Sequence, residues 1–110
     1  MKQYVIDELR PQDHETVKTY LDENFTPSDV GGIYWTPLDQ DILTNVQAEH
    51  VDCQPFYFAI ALEPKFIAFE LLVRTKNKMR CSCMGYATEK QRNWLIEFAD
   101  AMFNTLKINI

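Results

Sequence analysis

At 110 residues the chain reads as one domain, 1–110, able to bury roughly two-thirds of its unfolded surface without disulfides or metal. A hydrophobic share of 46% with 13% aromatics excludes disorder and low complexity, and 25% charged residues fit a globular protein in water. Eleven Lys and Arg against sixteen Asp and Glu leave −5, a field that opposes polyanions and disfavours a general nucleic-acid binder.

Tyr4, Val5 and Ile6 predict a first strand over 3–9. Pro11 suits a first helical turn, and Val17, Tyr20, Leu21 and Phe25 recur at helical spacing, giving a helix over 12–24. A loop with Gly31-Gly32 follows, then a short strand at Ile33-Tyr34-Trp35. Thr36-Pro37-Leu38-Asp39 has the features of a helix start: a cap, a residue needing no donor, and an acid facing the dipole. A second helix is therefore expected over 37–48. Strands at 56–63 and 66–75 flank Pro64-Lys65, and a third is expected at 79–87. Thr88-Glu89-Lys90-Gln91 is a capping box that opens a last helix over 89–107, with Trp94, Leu95, Phe98, Met102 and Leu106 on one face. The order β-α-β-α-β-β-β-α predicts an α+β two-layer sandwich, an antiparallel sheet packed by helices.

Pro64 cannot adopt positive φ, which excludes the usual two-residue turns and leaves a four-residue loop of the same parity. The register then pairs Leu62 with Ile67, Ile60 with Phe69, Phe58 with Leu71 and Phe56 with Val73, all large and apolar. A three-residue loop at 76–78 would set Cys81 opposite Val73, Cys83 opposite Leu71 and Gly85 opposite Phe69. The outer face would hold Tyr57, Ala59, Ala61, Phe66, Ala68, Leu72, Met84 and Tyr86, with Arg74 opposing Arg80.

Three constellations bear on function. His50-x-x-Cys53 and Cys81-x-Cys83 supply imidazole and thiolate, the ligand types of a Cys3His zinc site, and the topology gathers them at one sheet end. Residues two apart on a strand lie about 6.5–7 Å apart. Two thiolates on one zinc must lie within about 4 Å, so Ser82 would have to bulge or turn. The competing reading takes Cys81 and Cys83 as small core residues. His50 and Cys53 as base and nucleophile lack oxyanion donors and an orienting third group, so no enzyme is expected. Arg74, Lys76, Lys78 and Arg80 crowd one hairpin tip beside Tyr57 and Tyr86, a surface suited to stacking single-stranded bases. Finally, Tyr57, Leu72, Arg74, Arg80, Met84 and Tyr86 on the outer face form a candidate binding surface.

No signal-type run precedes the first acids and no apolar stretch is long enough for a bilayer, so a cytoplasmic, membrane-free location is expected. The odd number of cysteines argues against a disulfide framework. The first-ranked function is a non-catalytic protein–protein or self-associating module, possessing no resident cofactor. The alternatives are a structural zinc domain using His50, Cys53, Cys81 and Cys83, and single-strand binding through the 74–80 hairpin.

Overall fold

A computed structural model describes residues 2–29, 31–76 and 81–110. The chain runs β1 (Gln3–Ile6), α1 (Pro11–Asn24), β2 (Thr26–Pro27), β3 (Ile33–Pro37), a 3-10 turn (Gln40–Ile42), α2 (Asn45–Glu49), a second 3-10 turn (Val51–Cys53), β4 (Phe56–Leu62), β5 (Ile67–Glu70), β6 (Leu72–Thr75), β7 (Gly85–Tyr86) and α3 (Glu89–Thr105). It is the expected α+β class, an antiparallel sheet packed by helices. The sheet order is β1-β5-β4-β3-β2, and β6 joins β4 beyond β5 and carries β7 on its other side.

Alternation decides which face is buried. Phe56, Phe58, Ile60 and Leu62 of β4, with Ile67 and Phe69 of β5, point to one side and are at most 6% exposed. Helices α1 and α3 lie on that side. Trp94 stacks on Phe58, Phe98 meets Phe69 and Phe25 edge-on, and the Tyr4 hydroxyl donates to Asp100 of α3 at 2.9 Å. The Tyr34 hydroxyl donates to Asp22 of α1 at 2.6 Å. Burial, and the carboxylate as acceptor, push the Tyr34 phenol up to about 12.

The Pro64 hairpin keeps the predicted register where it begins. Leu62 faces Ile67 and Ile60 faces Phe69, with residues 63–66 as the loop. Further along, Phe56 faces Thr75 and Tyr57 faces Arg74, two residues out of step with the expected Phe56–Val73 and Phe58–Leu71 pairs. The cause is Leu71. Its N–H donates to the Lys2 carbonyl at 3.0 Å and its carbonyl accepts from Ala87 N–H at 2.7 Å, so it leaves the β4 ladder and divides β5 from β6. A slip of two preserves the side each residue faces, and Val73 remains buried.

Other boundaries also differ. The strand expected over 3–9 stops at Ile6, and Glu8 takes a left-handed φ of 57°. Pro37 opens no helix; it is the last residue of β3, paired with Tyr57. The span expected as one helix, 37–48, is instead a strand end, a 3-10 turn and α2. Thr44 starts α2 by a capping box of its own, its hydroxyl accepting from Gln47 N–H at 3.1 Å while Gln47 Oε1 accepts from Thr44 N–H at 3.0 Å. The strand expected over 79–87 is reduced to Gly85–Tyr86, with Gly85 facing Val73 where Cys81 was expected. Residues 77–80 of that span lie outside the described residues. The Ile33-Tyr34-Trp35 segment extends the sheet as β3. Gly32 allows that: its φ is 82°, and a Cβ there would lie 2.9 Å from the Leu62 carbonyl oxygen.

The Thr88 capping box forms as read, with Gln91 Oε1 accepting from Thr88 N–H at 3.1 Å and the Thr88 hydroxyl from Gln91 N–H at 3.2 Å. α3 ends two residues before the expected 107, because Lys107 turns left-handed and Ile108 N–H reaches back to the Phe103 carbonyl at 3.0 Å. Thr88→Ala should cost about 1 kcal/mol in urea unfolding, the usual loss of an N-cap. A change below about 0.3 kcal/mol would mean that packing alone positions α3.

Candidate metal centre

The donor set is assembled by two short turns. His50 caps the C-terminus of α2, its N–H bonded to the Val46 and Gln47 carbonyls at 3.2 Å each. Cys53 N–H donates to the His50 carbonyl at 3.0 Å and closes the 3-10 turn. In a 3-10 turn, side chains three apart eclipse, so the spacing of His50 and Cys53 puts both on one side. The Thr75 hydroxyl of β6 donates to the Cys53 carbonyl and ties that turn to the sheet. The Gln54 amide donates to the Gln47 and Ala48 carbonyls at 3.4 and 3.3 Å, capping α2.

From the other side comes the turn at 81–84, closed by Met84 N–H donating to the Cys81 carbonyl at 3.1 Å. This supplies the turn at Ser82 that a shared metal requires of Cys81 and Cys83. His50 Nδ1 lies 3.0 Å from Cys81 Sγ and 4.0 Å from Cys53 Sγ, and the Cys53 and Cys81 sulfurs are 3.6 Å apart. One donor atom from each of His50, Cys53, Cys81 and Cys83 falls within 4.8 Å of all the others. A tetrahedral zinc with these ligands needs edges of about 3.8 Å between sulfurs and about 3.5 Å between sulfur and nitrogen. The donor set fits. Of the two thiols, His50 Nδ1 is nearer to Cys81 at 3.0 Å than to Cys53 at 4.0 Å, the pair considered as base and nucleophile.

Electrostatics distinguish the thiols. Cys81 is drawn down to about 6, chiefly by hydrogen bonds from the Cys83 thiol and backbone N–H, with smaller help from Cys53 and His50 against the cost of burial. Burial pushes Cys83 up, and the neighbouring sulfurs add to this. All three cysteines are free; Cys53 and Cys83 are buried and Cys81 is half-buried. Three sulfurs packed this closely repel as thiolates unless a cation lies among them.

The candidate binding surface is spread over the other face. Tyr57 meets Trp35 edge-on, and Lys76 Nζ lies 4.5 Å from the Tyr57 centroid and 5.4 Å from that of Trp35. Arg74 is bridged to Glu70 at 2.9 Å. Leu72 pairs with Tyr86, and Lys2 Nζ sits 5.4 Å over the Tyr86 ring. Tyr86 is 49% exposed, while Leu72, Met84 and Tyr57 are half-buried and Ala59 and Ala68 are buried. Arg80, expected to oppose Arg74, lies outside the described residues, as does Lys78. Behind the donors lie two buried glutamines: Gln91, already read as the last residue of the Thr88 capping box, and Gln47, which sequence reasoning missed although the Thr44-x-x-Gln47 spacing was an available signal.

No protein-family model, curated protein or solved structure matches the chain. Among the described residues, no helix is long and apolar enough to cross a membrane.

Proposed function

We propose that the chain is a structural zinc-binding domain, in which His50 Nδ1 and the sulfurs of Cys53, Cys81 and Cys83 hold one ion. The observation that carries this is the convergence of four soft or borderline donors within 4.8 Å, drawn from two turns 28 or more residues apart. Cys3His is a closed set with no open position, as a structural site requires. The ion would join the α2 end of the chain to the 81–84 turn, where β7 is only two residues long. The outer sheet face, as a docking surface for protein, self or single strands, has weaker support. Its described cations lie on its own rings or on Glu70.

Metal analysis of protein purified without chelator should find one zinc per chain. A thiol reagent should then react slowly until chelator is added, after which three thiols titrate. Three thiols titrating freely from the start, with no zinc found, would dispose of this reading.

A further inference from the structure

Behind the four donors lies a buried chain of amides. Gln47 is 4% exposed and Gln91 is 1% exposed. Each is the third residue of its helix and serves its own capping box through Oε1. That leaves both side-chain N–H groups of each amide to be placed. Gln91 Nε2 donates to Gln47 Oε1 at 2.8 Å and to the Ile42 carbonyl at 2.9 Å. Gln47 Nε2 donates to the Cys83 carbonyl at 3.1 Å. Flipping the Gln47 amide would set its N–H groups against Thr44 N–H and Gln91 Nε2, so the bonding fixes its orientation. The network has a direction: the N-terminus of α3 orients Gln91, Gln91 orients Gln47, and Gln47 holds the peptide of Cys83.

That peptide bears on the ligands. The Cys83 carbonyl shares its peptide with the Met84 N–H that closes the 81–84 turn on the Cys81 carbonyl at 3.1 Å, and the Cys83 side chain is itself in the donor set. Fixing its carbonyl therefore fixes the rotation of the 81–84 turn, which sets whether two cysteines separated by one residue point at a common centre. Partners one bond behind a ligand orient it and typically change metal affinity by about 10–100-fold when lost.

Building on the zinc reading, we propose that Gln47 is a positioning residue of the metal centre, held by Gln91, and that metal affinity depends on its amide donor as well as on the four ligands. The test measures Zn(II) and Co(II) affinity of the full chain by competition with a chromophoric chelator in reducing buffer. Gln47→Glu retains an oxygen for Thr44 N–H and Gln91 but loses the donor to Cys83. Gln47→Met removes the donor without adding charge. Thr44→Ala weakens the α2 cap and leaves the Cys83 bond. Both Gln47 variants should bind about 10–100-fold more weakly, keeping thiolate-to-cobalt bands, and Thr44→Ala should bind as the parent does. Parent-like affinity in both Gln47 variants overturns the positioning role and leaves the four-ligand reading intact. So does an equal loss in Thr44→Ala, which would assign the effect to the helix cap. A parent chain that binds neither ion removes the four-ligand reading itself and the positioning role with it.

Discussion

If the four donors hold zinc as proposed, chelation is expected to lower the unfolding midpoint by roughly 15 °C. An ion in about thousand-fold excess over its dissociation constant stabilises the folded state by about 4 kcal/mol. For a domain of this size each kcal/mol moves the midpoint by about 4 °C. The loss should be reversed by zinc. It should be absent in Cys53→Ser and Cys81→Ser, which would start near the chelated value. The expected damage is local. Phe56, Phe58, Ile60 and Phe69 are packed by α1 and α3 without help from the ion, so chelated protein should keep most of its far-ultraviolet circular dichroism. Amide exchange should rise around 45–54 and 81–86, where only short turns and a two-residue strand hold the chain. Thermal unfolding in reducing buffer, with and without chelator, measures this. Coincident midpoints would rule out a structural ion.

The second large effect lies in the core. Phe69→Ala should cost about 3–5 kcal/mol, the range for emptying a fully buried aromatic site. Phe69 has no exposed surface, sits opposite Ile60 across β4–β5, and its ring lies 6.2 Å from that of Tyr4 and 6.5 Å from that of Phe98. The site cannot collapse easily, because a strand, its neighbour and α3 all meet there. Urea unfolding with an unchanged slope should report the loss as a lower midpoint. A cost below about 1.5 kcal/mol would mean that Ile60 and Phe69 do not share the buried face.

How much of this was legible depends on the range of the signal. The Pro64 hairpin carried its register in its own alternation, because only one parity buries Leu62 with Ile67 and Ile60 with Phe69. The α3 start was legible for a similar reason, since a capping box is complete within four residues. The 37–48 span misled because Thr36-Pro37 fits a helix start equally well. In the fold, Leu38 N–H is taken by the Phe56 carbonyl and Pro37 ends a strand. The slip at Leu71 left no local trace, since a shift of two keeps every residue on its side.

His50, Cys53, Cys81 and Cys83 were singled out by residue type and spacing, and the expected pairing set them at one end of the sheet, although Phe56 faces Thr75 and Gly85 stands opposite Val73 in place of Cys81. Type and spacing could not show that the chain turns at 81–84 instead of running extended, the difference between two sulfurs that can share an ion and two that cannot. That turn is bonded to residues far away in the chain: the Gln47 amide to the Cys83 carbonyl, and Gln91 behind it. Periodic apolar residues and self-contained caps encode their outcome locally, so the sequence by itself determined the fold class and the buried face. The geometry of the four donors comes from contacts 28 to 44 residues apart, and only the tertiary structure decided it.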